Sequence, residues 1–99
     1  MSKLVIVMTA KAGKTREAIA AAKAVTEYNR AKHGLQSEVY MQTFGGTLGT
    51  LYIIGEQSDA AAAQAAMAKI MTDDGYWALA QKLVDVIVSP PTATFLQPI

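Results

Sequence analysis

The stretch LVIVMTAKAGKT, Leu4 to Thr15, decides the fold. Leu4 to Thr9 is apolar and β-branched without alternation, the mark of a strand covered on both faces. It runs into Gly13-Lys14-Thr15, and a helical pattern follows. A phosphate-binding loop has this layout, but it needs G-x-x-x-x-G-K-[ST], and the place of its first glycine is held by Met8. Without that glycine the backbone cannot curl around a phosphate. The stretch therefore reads as a short strand-to-helix turn with Thr15 as N-cap and Glu17 in the first helical turn. Nucleotide binding through Lys14 is not expected.

Working outward, the helix extends to about Lys32. Ala18, Ala22, Val25, Tyr28 and Asn29 share one stripe, and Gly34 is the stop. Gln36 to Phe44 alternates as strand two, with Val39 and Met41 on one side and Tyr40 and Gln42 on the other. Gly45-Gly46 signals a hairpin into strand three, Thr47 to Glu56. Ser58-Asp59 starts a second helix rich in alanine, with Met67, Ile70 and Met71 as its ridge. Thr72-Asp73-Asp74-Gly75 interrupts it. A short helix with Tyr76, Trp77 and Ala80 then leads into an expected strand four, Leu83 to Ser89, ended by Pro90-Pro91. The tail from Thr92 to Ile99 stays apolar and is expected to pack on something.

The order βαββαβ with right-handed crossovers predicts an α+β, ferredoxin-like fold: a four-stranded antiparallel sheet with both helices on one face. The strands are nevertheless apolar on both sides. A bare apolar sheet face is rare in a monomer, so the pattern predicts a homodimer that pairs those faces.

The composition narrows the functions. Ninety-nine residues suggest one domain spanning 1–99. Hydrophobic residues make up 52%, high for so short a chain and consistent with a second buried face. Nine basic and eight acidic side chains, well mixed, leave no electrostatic footprint for nucleic acid or anionic lipid. The absence of cysteine removes disulfides and thiolate chemistry, and one histidine cannot build a multi-histidine metal site within one chain. No stretch approaches the ~20 apolar residues of a membrane span, and the apolar N-terminal run is too brief for a secretory signal. A cytoplasmic protein is the expectation.

Several residues are candidates for chemistry. Asn29 and His33 are four apart on one helix face. His33 is either a general base or a donor to the free carbonyls of the last helical turn. Tyr40, Tyr52, Tyr76 and Trp77 either line a cavity between sheet and helices or are core with satisfied polar tips. Asp73 and Asp74, adjacent on a turn, read as caps. Asp85, inside the expected strand four, marks either a protected edge or a group facing a partner or cavity.

The element order, Gly45-Gly46-Thr47, the Ser58-Asp59 helix start and the block MTDDGYWALAQKL (Met71 to Leu83) resemble the dimeric α/β-barrel superfamily. Within it the chain looks most similar to small NIPSNAP-like and antibiotic-biosynthesis-monooxygenase-like proteins. The resemblance implies a homodimer whose sheets face each other, with a pocket between sheet and helices in each subunit. It covers nearly the whole chain as a pattern of fold positions. Haem-degrading members use an Asn, a Trp and a proximal His. Trp77 sits about where their tryptophan would, but strand one has no Asn and no His follows His33. No cofactor is therefore expected. Two functions follow: binding of a small apolar or aromatic molecule, or a cofactor-independent monooxygenase or isomerase-type enzyme. Asn29, Tyr40, Tyr52 and Trp77 are the expected ligand-binding lining, and in the enzyme His33 joins them as the base.

Overall fold

The computed structural model describes residues 1–46 and 48–99. The elements are β1 (Ser2–Thr9), α1 (Thr15–His33), β2 (Ser37–Met41), β3 (Thr50–Gln57), α2 (Ala60–Met71), α3 (Asp74–Val84) and β4 (Thr92–Leu96). The sheet order is β2-β3-β1-β4 with every neighbouring pair antiparallel. All three helices pack on one face, which is the ferredoxin-like arrangement the element order predicts.

Register follows from the side-chain pattern. Leu4, Ile6 and Met8 of β1 stand opposite Gly55, Ile53 and Leu51 of β3 and face the helices. Met8 and Leu51 are buried there, with Ala18 and Ala22 of α1 packed over them in one core that also holds Leu83 and Ile87. The two alanines let α1 lie close to the sheet. Gly34 ends α1 in the left-handed conformation (φ 66°), and its N–H reaches the Arg30 carbonyl.

The start and middle of the chain depart from the sequence reading in two places. The N-cap of α1 is Lys14 and uses no side-chain hydrogen bond, so Thr15 opens the helix instead of capping it. The β2–β3 strands stop at Met41 and resume at Thr50, so the connection is wider than a tight Gly45-Gly46 turn. Thr47 lies outside the described residues.

The largest correction concerns the last strand. Leu83 and Val84 finish α3, because Tyr76, Ala80 and Leu83 recur at helical spacing and bury one face. Asp85 is the C-cap of that helix, and its carboxylate accepts from Gln81 Nε2 at 3.2 Å. The apolar run after it makes a single bridge, Ala10 to Ile87, flanked by Lys11 N–H to the Val86 carbonyl and Val88 N–H to the Thr9 carbonyl. The true β4 begins just past Pro90-Pro91. The prolines precede the strand instead of ending it, and the tail pairs with β1 through Thr92–Leu96 while Leu96 and Ile99 stay exposed, so only Phe95 is partly covered.

Candidate functional site

A cavity of about 90 Å³ lies between the sheet and the helices. Leu4, Ile6, Val25, Asn29, Gly55 and Ile70 are among its walls, with Tyr76 from α3. Its origin is local. Where Ala18 and Ala22 face the sheet the layers touch, but further along α1 the sheet offers Gly55, which contributes no side chain. The space is several times the roughly 10–15 Å³ that one water requires. Leu4 and Met67 also line an open apolar groove of about 410 Å³ beside Ala63, Met71 and Phe95. The groove therefore borders the cavity.

Asn29 is one of four polar side chains in these walls, with Thr26, Ser37 and Tyr76. It is 6% exposed, and its Oδ1 accepts no hydrogen bond among the described residues. Its neighbours spend their donors elsewhere: Thr26 Oγ1 on the Ala22 carbonyl at 2.8 Å, and Arg30 on the Ser37 carbonyl. Tyr76 is half-buried, and burial pushes its phenol up from the ordinary 10.0, so it stays protonated at neutral pH.

A second polar cluster joins the end of α1 to the start of α3. Asp73 is the N-cap of α3, accepting from the Gly75 and Tyr76 amides at 2.9 and 3.4 Å. The Tyr28 hydroxyl donates to the same carboxylate, 2.8 Å from Oδ1 and 2.9 Å from Oδ2. His33 Nε2 lies 2.7 Å from Oδ2, and Lys32 Nζ lies 3.5 Å from it. Burial pushes the Asp73 carboxyl up. The donors from Tyr28, His33, Tyr76 and Gly75 outweigh that and hold it well below the usual carboxylate range. Gly75 makes this possible: a Cβ there would stand 2.8 Å from Tyr28 Cζ and closer still to the hydroxyl. With Nε2 directed at Asp73, His33 Nδ1 is the ring atom left to accept a proton.

The expected site residues are thus divided. Asn29 lines the cavity; His33 does not, and sits with Asp73 beside a shallow surface pocket. Tyr40 and Tyr52 are cross-strand partners on the opposite face of the sheet, where the Tyr52 hydroxyl donates to Gln42 Oε1 at 2.8 Å. Trp77 is half-exposed, with its indole N–H on the Met71 carbonyl at 2.8 Å and its ring edge-on to Tyr76. Sequence reasoning took Asp73 for a cap, which it is. It did not show the carboxylate's ties to Tyr28 and His33, 45 and 40 positions away. Among the described residues no cluster of His, Asp and Glu is arranged to hold a metal ion.

Solved structures share this architecture. A NIPSNAP domain protein from Burkholderia xenovorans superposes with a TM-score of 0.81 at 17% identity, covering 100% of this chain and 95% of its own. The chain has its fold. An antibiotic biosynthesis monooxygenase gives a TM-score of 0.74 at 14% identity, covering 100% and 99% of the two chains. A dimeric protein of unknown function with a ferredoxin-like fold, from Bacteroides fragilis, gives 0.72 at 13%, covering 97% and 94%. The resemblance read in the sequence thus holds at the level of fold. No family model matches the chain, and no curated protein matches it. No helix among the described residues is long and apolar enough to cross a membrane.

Proposed function

We propose that this chain is a homodimeric binding protein that holds a small apolar molecule in the cavity between its sheet and helices. The observation that carries the reading is the cavity itself, walled by Leu4, Ile6, Val25 and Ile70 and bordered by the groove at Met67. Enclosed, mostly apolar space with a few polar groups is the usual form of a small-molecule site. The dimer rests on the opposite sheet face, where Val5, Val7, Tyr52 and Ile54 are partly exposed and Tyr40 and Leu96 are exposed. A second copy of the same face is the simplest cover. In that arrangement Tyr40 and Tyr52 belong to the subunit interface, and Asn29 is the expected lining residue that serves the ligand. The dimeric Bacteroides fragilis neighbour supports it. Native mass spectrometry tests both parts. A dimer of the 10.5 kDa chain that takes up hydrocarbons or alcohols of a few carbons supports the reading. A monomer, or a dimer that takes up none of them, contradicts it.

The second reading is a cofactor-independent monooxygenase or isomerase-type enzyme with His33 as base. The Asp73–His33 pair favours it, since a carboxylate on Nε2 orients the ring for proton transfer at Nδ1. The monooxygenase neighbour shares only the fold. Turnover with a pH limb that disappears in His33→Ala would establish this reading, whereas turnover unchanged in that variant would remove His33 from it.

A further inference from the structure

The cavity has one polar requirement, and it indicates what the ligand must carry. Asn29 Oδ1 is a buried acceptor with no donor among the described residues. Leaving such an acceptor unpaired is costly, and native proteins rarely do so without a water, a ligand or a functional reason. The side chains around it do not supply the donor. Leu4, Ile6, Val25 and Ile70 have none, the Thr26 hydroxyl is committed to the Ala22 carbonyl, and neither the Ser37 nor the Tyr76 hydroxyl, which also line the cavity, donates to it. Among the described residues no charged side chain lines the cavity, so an ionised ligand would be desolvated without compensation.

Building on the reading that the cavity holds a small molecule, we propose that its ligand is neutral, no larger than a short chain of a few heavy atoms, and carries one O–H or N–H donor that pairs with Asn29 Oδ1. A space of about 90 Å³ is smaller than the roughly 150 Å³ that holds a benzene ring. The remaining surface of the ligand is apolar and lies against Ile6, Ile53 and Ile70. Asn29 is then the specificity-determining residue. It favours a short alcohol or neutral N–H donor over an analogue of the same shape that can only accept.

An NMR titration with 2-propanol and acetone tests this, since the carbon skeleton is shared and only the alcohol can donate. The expected result is that 2-propanol binds the wild-type protein about tenfold or more tightly than the ketone, the usual penalty for leaving a buried polar group unpaired. In Asn29→Leu the preference disappears. Asn29→Ala reads the same difference should the leucine variant not fold. If both probes bind equally, or the ketone binds more tightly, the cavity remains a ligand site and the donor requirement is overturned. If neither binds, the cavity holds water only, and both this inference and the reading beneath it fail.

Discussion

Asn29 and Asp73 are both polar side chains almost removed from solvent, and the fold provides for them in opposite ways. Asp73 is 8% exposed and has donors from Tyr28, His33, Gly75 and Tyr76. Asn29 is 6% exposed, and its Oδ1 has none among the described residues. A saturated buried carboxylate is a clamp: removing it leaves several donors stranded. An unsaturated buried amide contributes little to holding the fold and awaits a partner. The first joins α1 to α3; the second lies in a space those helices and the sheet leave open. Stability and ligand choice are therefore carried by different buried polar groups, Asn29 on α1 and Asp73 at the start of α3.

The largest expected effect comes from the apolar wall that both regions depend on. Ile70 is 1% exposed, and Ile70→Ala should cost about 2–5 kcal/mol in chemical denaturation while enlarging the cavity. A loss well under 1 kcal/mol would show that α2 is not part of the cooperative core.

Next comes the clamp. Tyr28→Phe removes the hydroxyl on Asp73, and Gly75→Ala pushes Tyr28 away by contact, so both should lower Tm by several degrees. Agreement between them would show that the hydroxyl contact is what Gly75 protects.

Acid should expose the same clamp. The Asp73 carboxyl titrates lower in the folded protein than in the unfolded chain. The unfolded state therefore binds the proton first as pH falls. The stability Asp73 contributes is fully present above its ordinary value of 3.8 and is lost as pH drops below it. Asp73→Asn should be less stable at neutral pH and show a flatter acid limb in a Tm–pH series. An unchanged acid limb would mean that other carboxylates set it.

The smallest effect has the opposite sign. Asn29→Leu replaces an unpaired buried acceptor by an apolar side chain of similar size. It should leave stability unchanged or raise it by about 1 kcal/mol. A marked loss would mean that Asn29 already has a partner and that the contrast with Asp73 is false.

Much of this frame was legible in the sequence, for physical reasons that stop at identifiable points. The α1 stripe from Ala18 to Asn29 and the alternation of β3 are periodic, and periodicity survives without knowledge of the partner surface. The start of α2 at Asp59 was legible because a cap is local chemistry: its carboxylate accepts from the Ala62 amide at 2.8 Å. Strand four was misplaced because Val86-Ile87-Val88 has a strong strand composition, yet that run completes only one bridge while the plainer Thr92–Leu96 pairs with β1. Strand preference measures fit to a half-buried surface, and only the topology says which segment reaches it. The site was less legible than the fold. Tyr28 and Asp73 meet because α1 and α3 pack side by side, and Gly55 leaves room because β3 runs beneath Asn29. Neither follows from spacing along the chain. The division of the aromatics also depends on register: Tyr40 and Tyr52 pair on the far face, away from the cavity they were expected to line.

The most direct test of the central claim is a two-dimensional NMR titration of the wild-type protein with 2-propanol, following the Asn29 side-chain amide and the methyl groups of Ile6, Ile70 and Met67. The account predicts saturable shifts of the Asn29 amide together with the Ile6 and Ile70 methyls, with the Tyr28–Asp73 clamp and the open sheet face unmoved. Shifts confined to Val5, Tyr40, Tyr52 and Leu96, with Asn29 silent, would contradict it, because they would place binding on the outer face of the sheet and leave the cavity without a ligand.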